Sequence, residues 1–221
     1  MNFPDDIVNT FWIFLGYIVY VPALLLALRK AKWWHTRVNA DLHALLGMTV
    51  AILFIWNMKA GFAEGLSLHL IGATLLTLMF GWAFAVISLS MVLVGITLMG
   101  DAGWHAFPLN AAIIIVLPVM ISQGIYHLVD NKLPNHFFIY IFVNAFFGSA
   151  IALGAVGLVS TWILAMADAY SMDYLMYNYL VYYLLLLFPE AFITGMLMTI
   201  FVLFTPQWVS TFDDNRYLKN H

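Results

Sequence analysis

The run LSLHLIGATLLTLMFGWAFAVISLSMVLVGITLM, Leu66 to Met99, holds 34 residues without an Asp, Glu, Lys or Arg. A helix that crosses a bilayer needs roughly 20 mostly apolar residues, so the run is too long for one crossing and reads as two. The pair Gly81-Trp82 is the natural break for a tight helical hairpin with a short first arm. Working outward from it, apolar runs bounded by charges, Gly, Pro or loop residues give seven segments: 11–29, 41–58, 66–80, 82–99, 109–129, 136–166 and 174–205. The last two exceed a single crossing and predict tilt, extension beyond the hydrocarbon or a kink at Pro189.

Composition points the same way. Of 221 residues, 64% are hydrophobic and only 9% charged, and mean hydropathy is +0.95, whereas water-soluble domains carry about 25% charged residues. Too little polar surface exists to cover a core in water, which excludes the common soluble enzyme classes. The absence of cysteine excludes disulfide frameworks, thiolate metal sites and thiol catalysis. A net charge of −3 gives no reason to expect nucleic acid as a partner. No soluble domain, linker or fixed-period repeat interrupts the chain. The expected fold class is all-α: one polytopic membrane bundle of about seven transmembrane helices over residues 1–221, with the lipid bilayer as its surroundings.

Lys and Arg in short loops mark the cytoplasmic side. Arg29, Lys30, Lys32 and Arg37 follow the first segment, so the N-terminus is expected outside and the C-terminus inside, with Lys132, Arg216 and Lys219 also inside. Only Lys59 falls outside, where Asp5, Asp6, Glu64, Asp101, Asp168 and Asp173 also lie. Asp5 and Asp6 replace the positive start of a secretory signal, so the first segment reads as a retained helix.

No phosphate-binding Gly-x-x-x-x-Gly-Lys loop, His-Glu-x-x-His pair or nucleophile elbow is present. What remains is a set of polar groups on the outer face. His69 opens the third segment there, and the amine of Met1, the outer carboxylates and His105 in the loop after Met99 share that side. Neutral imidazole and amine nitrogens suit nickel, cobalt, copper and zinc, and carboxylates favour the approach of a cation. The blander reading of His69 is an interfacial histidine bonded to backbone or water. His35, His43, His127, His136 and His221 map to the inner side and read as structural. Glu190 lies within the last apolar segment, where a carboxyl must be paired or wetted; it reads either as a packing or gating contact or as a protonated group bonded to a neighbouring helix. Asn110 and Asn144 read as interhelical hydrogen-bonders, and the pairs Ala23/Ala27, Gly148/Ala152 and Ala150/Gly154 as sites of close helix approach.

Several stretches in order resemble the CbiM/NikM family, the membrane-embedded capture subunits of nickel and cobalt energy-coupling factor (ECF) ABC transporters. Met1-Asn2-Phe3-Pro4-Asp5-Asp6 is similar to the family's Met-His-Ile-Pro-Asp-Gly opening, and Gly65-Leu66-Ser67-Leu68-His69-Leu70-Ile71-Gly72 to its Gly-x-Ser-x-His-x-x-Gly element. Gly100-Asp101-Ala102-Gly103 with Pro108-Leu109-Asn110-Ala111 resembles its outer loop, and Pro189-Glu190-Ala191-Phe192-Ile193-Thr194 with Thr205-Pro206 its final helix and exit. The resemblance implies a non-catalytic permease subunit of the bacterial inner membrane. Such a subunit takes a divalent transition metal as substrate, holds no tightly bound cofactor, and works with a transmembrane coupling subunit and cytoplasmic ATPase subunits on separate chains. In that family the ion is held by the terminal amine, the backbone nitrogen and side chain of the second residue, and the histidine of the third helix. Met1 and His69 match; Asn2 replaces the second imidazole. Three outcomes follow: His105 supplies the missing nitrogen as a third metal contact beside Met1 and His69, the site favours copper or zinc, or the chain is an accessory subunit that kept the scaffold and lost the metal. An oxidoreductase holding haem or copper is the remaining alternative, disfavoured because no histidine pair is placed on facing helices.

Overall fold

The structure, a computed structural model, describes residues 2–31, 33, 41–61, 63, 65–213 and 217. The expectations placed on Met1, Lys32, His35, Arg37, Glu64, Arg216, Lys219 and His221 lie outside the described residues. Among the described residues, seven helices make up the bundle. They are α1 (Thr10–Lys30), α2 (Asp41–Asn57), α3 (Ala73–Phe80), α4 (Trp82–Leu98), α5 (Phe107–Lys132), α6 (Phe137–Met166) and α7 (Met172–Phe204). Four of them, α1, α5, α6 and α7, are long and apolar enough to cross a membrane by length and composition.

Local chemistry sets the ends. Asn9 caps α1 by accepting from the Trp12 N–H, and Arg29 and Lys30 sit in its last turn, where the carbonyl end of the helix favours cations. Ser171 caps α7 through the Tyr174 N–H, with Asp173 in the first turn. Gly81, at φ 81, ends α3 and begins α4 in one residue, which is the hairpin break expected from the sequence. In α5, Pro118 has no N–H to return to residue 114, and the turn just before it, Ala112–Val116, widens to a π-turn. Long helices α6 and α7 carry π-turns at Tyr140–Phe147 and Met176–Leu180. The helix passes through Pro189 without a break.

The expected third segment, 66–80, is the main departure. Only Ala73–Phe80 is helical. Eight residues rise about 12 Å, a fraction of a hydrocarbon core of about 30 Å. Ahead of α3, Ser67–Leu68 pairs antiparallel with Ala60–Gly61 in a small hairpin at the rim of the bundle, and the chain enters the bundle in extended form. Two glycines in left-handed conformation, Gly65 (φ 73) and Gly72 (φ 69), frame this segment. His69 therefore sits before the helix and not on its first turn.

The rim is built from residues 2–8, the 57–72 hairpin and the 99–106 loop. Phe3, Leu66 and Ile71 are buried with the helices in a single core cluster. Lys59 and Asp101 form an ion pair between the hairpin and the loop. At the opposite end the chain after α7 folds back: the Ser210 N–H donates to Met79 O and the Thr211 hydroxyl to Leu78 O, which satisfies the last carbonyls of the short α3. Within the bundle, Thr49, Thr77, Ser90, Thr97, Ser122 and Thr161 return their hydroxyls to the carbonyl four residues earlier, the local solution where water is scarce. Phe14, Ile18, Leu25, Leu184, Leu185 and Phe188 are exposed, an apolar belt suited to acyl chains.

Close helix approach occurs where glycine permits it. A Cβ on Gly16 would lie 2.5 Å from the Leu109 backbone nitrogen, and one on Gly157 would lie 2.6 Å from the Tyr183 ring. Of the pairs expected from sequence, Ala27, Gly148 and Ala152 are buried, whereas Gly16 was not among them. Because backbone cannot yield as a side chain can, Gly16→Ala is expected to cost about 1–3 kcal/mol by overpacking. Gly124→Ala, where nothing stands within 4 Å, should stay within about 0.5 kcal/mol. Thermal unfolding of both variants in detergent reads the difference, and equal melting temperatures would refute the close-packing assignment.

Candidate metal site

His69 is 3% exposed, at the end of the rim hairpin. Its ring lies against Trp56, centroids 4.7 Å apart. Its Nδ1 is 3.1 Å from the carbonyl oxygen of Leu70. A carbonyl can only accept, so Nδ1 carries the proton and, in the neutral ring, Nε2 carries a bare lone pair. That Nε2 is buried without a hydrogen-bond partner among the described residues. Burial, which penalises the charged ring, lowers the pKa from 6.5 to about 3, so the lone pair stays free at any physiological pH. A tautomer fixed by a backbone carbonyl, with the other ring nitrogen unprotonated, is the arrangement a metal-ligating histidine needs.

Asn2 is the second such group. It is also 3% exposed, and both its amide oxygen and its amide nitrogen lack partners among the described residues. Buried polar atoms of native structures are nearly always hydrogen-bonded, so two amide atoms without a protein partner single this residue out. The neighbouring residues explain how Asn2 is held. The Phe3 N–H donates to Asn110 Oδ1 at 2.8 Å and Asn110 Nδ2 donates back to Phe3 O at 2.9 Å, a two-point clasp. The Ala106 N–H donates to Asp5 at 2.8 Å, and the Gly103 N–H to Phe3 O at 3.3 Å. A Cβ on Gly103 would overlap Asp5, and one on Gly65 would come within 2.9 Å of Ile7. Asn110, expected to bond between helices, instead holds the amino-terminal strand, because the backbone of Phe3 enters the bundle with no sheet or helix of its own.

The segment carrying His69 is tied down equally firmly. The Trp56 indole N–H donates to Ile71 O at 3.1 Å. The Ile71 and Gly72 N–H groups each donate to one oxygen of Glu190, both at 2.9 Å. Of the two readings of Glu190, hydrogen bonding to a neighbouring element holds, with the backbone N–H groups just ahead of α3 as its partners. Trp56 was missed from the sequence, where nothing distinguishes it from other interfacial tryptophans.

The remaining expected residues are placed less centrally. His105 is exposed on the rim loop, and no contact joins it to the buried Nε2 of His69. Asp5 is engaged by Ala106 and Asp101 by Lys59. His127 is paired with Gln123, and His136 caps α6 by accepting from the Phe138 N–H, so both are structural as expected. Asn144 is buried with both amide atoms unpartnered among the described residues, not bonded across helices as expected. Among the described residues, no group of three or more His, Asp or Glu side chains could hold a metal.

Two crystal structures described as a transition metal transporter and a truncated form share the fold. The truncated form aligns with a TM-score of 0.76 at 23% identity, over 92% of this chain and 98% of that one. The other aligns with a TM-score of 0.75 at 23% identity, over 90% of this chain and 92% of that one. No curated protein sequence matches the chain significantly. The family model described as the cobalt uptake substrate-specific transmembrane region matches residues 2–208, nearly the whole chain and every element described above. The chain thus belongs to the CbiM family of multi-pass membrane proteins, substrate-specific components of cobalt uptake.

Proposed function

We propose that this subunit captures a divalent first-row transition metal at His69 on the outer face of the bacterial inner membrane and passes it inward as part of an energy-coupling factor ABC transporter. ATP hydrolysis belongs to cytoplasmic ATPase subunits, joined to it through a transmembrane coupling subunit. The observation that carries the reading is the buried, unprotonated Nε2 of His69 with no partner among the described residues. A scaffold that had abandoned metal has no use for a buried imidazole nitrogen without a protein partner, so the unpaired lone pair supports capture over an accessory role.

His69 supplies the first ligand, and the Asn2 carboxamide stands in for the imidazole of the family opening. The family resemblance adds the terminal amine of Met1. Compared with imidazole, a neutral carboxamide is a weaker donor to nickel or cobalt, so the site is looser than an all-nitrogen one. His105, at the exposed rim, serves as an outer contact for an arriving ion.

Three outcomes test this reading. His69→Ala should weaken Co(II) and Ni(II) binding in detergent, measured by calorimetry, by more than the 10–100-fold typical of outer ligand partners; retention of the ion in His69→Ala would overturn it. Asn2→His should tighten Ni(II) binding, and His105→Ala should change affinity little; the reverse order would place the ion at the loop. NMR of nitrogen-labelled histidine should find His69 neutral and protonated at Nδ1 from pH 8 down to pH 5, because a pKa lowered to about 3 leaves the ring uncharged throughout that window. A His69 titration near pH 6.5 would contradict the dry site.

A further inference from the structure

The site just proposed depends on a length of backbone that has no regular structure to hold it. After the two-residue strand Ser67–Leu68 the chain runs through His69, Leu70, Ile71 and Gly72 before α3 begins. Side chains bury Ile71, but the packing round the segment is incomplete: a cavity of about 220 Å³ opens between α2, α3 and α7, bordered by Leu70, Ile71, Gly72, Glu190 and Thr194. Close packing alone therefore does not fix the position of the segment. What fixes it is hydrogen bonding: two successive N–H groups converge on the Glu190 carboxyl, one to each oxygen, and the indole of Trp56 holds the Ile71 carbonyl. Gly72 at φ 69 permits the turn that brings both N–H groups to the same side, and a side chain there would be strained and would press on Ile52.

Glu190 is itself 3% exposed, and it comes from α7, remote in sequence from everything it touches. A carboxyl placed inside an apolar helix is costly. For stability alone, an apolar side chain with a helical α3 extension would serve as well. The arrangement gains something a longer helix would not: it holds the two residues after the His69–Leu70 pair at two points, and Leu70 O is the group that sets the His69 tautomer.

We infer that Glu190 is a positioning residue of the capture site: by clamping the Ile71 and Gly72 N–H groups from α7, it sets the direction of His69 Nε2 and so the affinity and geometry of the bound ion. This inference rests on the reading of His69 as a metal ligand. The carboxyl does not touch the ion. It links α7 to the metal seat, so that a displacement of α7 is felt at the ligand through two backbone bonds.

The test is Glu190→Gln, which keeps the shape but presents an NH₂ where one N–H now donates, breaking one arm of the clamp by setting donor against donor. Purified wild type, His69→Ala and Glu190→Gln are titrated with Co(II) alone. Melting temperature without metal and the visible spectrum of the bound ion are recorded for each. The expected result is a 10–100-fold loss of Co(II) affinity in Glu190→Gln, the range for outer partners of a ligating histidine. An altered ligand-field spectrum in the fraction that still binds should accompany it. A purely structural role would lower the melting temperature and the folded fraction while leaving affinity and spectrum of the folded protein unchanged, and that outcome overturns the inference. If wild type binds no Co(II), or His69→Ala binds like wild type, the underlying site reading fails instead. Should Glu190→Gln not accumulate, hydrogen exchange on the metal-free wild type decides: protected amides at Ile71 and Gly72 support the clamp, and freely exchanging ones refute it.

Discussion

A backbone that leaves helical geometry inside an apolar bundle must find partners for its N–H and C=O groups, because neither lipid nor packed hydrocarbon supplies them. The rest of this structure follows from how Leu70–Gly72 meets that constraint. Glu190 on α7 accepts from Ile71 and Gly72, and Trp56 on α2 donates to Ile71; their bonds let α3 begin late, with His69 buried ahead of it. Without them the economical solution is a continuous helix from Leu66. That helix would swing the imidazole round with each added turn and would close the space beside it.

The same logic governs the amino-terminal strand. Phe3 has its N–H and C=O met by one asparagine side chain on α5, and Asp5 accepts from Ala106 at the first turn of that helix. Two irregular stretches, far apart in sequence, are thus borrowed into the bundle by side chains of three helices. Each brings one unpartnered polar group with it, Asn2 and His69. Packing places the stretches, hydrogen bonds orient them, and the atoms left without a protein partner are the ones the proposed capture site uses.

Much of this was legible in the residues. The hydropathy profile reports the number of helices, the Gly81 hairpin and the excess length of the last two, since these depend on composition averaged over many residues. Periodicity could not report the unwound half of the third segment, because Leu66, Leu68, Leu70 and Ile71 are as apolar as a helix would be. Only the two glycines at 65 and 72 signalled it, and a lone glycine is common within membrane helices. His69 stood out by its position at the rim, where the structure buries it with an unpartnered nitrogen, but its neighbours did not. His105 shares the face without approaching the buried nitrogen. Glu190 and Trp56, about 120 and 15 residues away from the backbone they hold, carry no local pattern that says what they bond. Asn110 and Gly16 were obscured for the same reason, because pairwise geometry between distant parts of a chain leaves no mark on either part alone.

The near-complete burial of His69 has a bearing on timing. On the proposed reading of His69 as ligand, a hydrated cation could not meet that nitrogen with its water shell intact, so loading would require stripping solvent and parting the threads laid over the seat. Unloading would require the same steps in reverse. Entry and escape to the outside would then both be slow, and an occupied subunit would behave as a stoppered vessel: it would wait, cargo inside, through the interval between successive strokes of whatever machinery empties it from below.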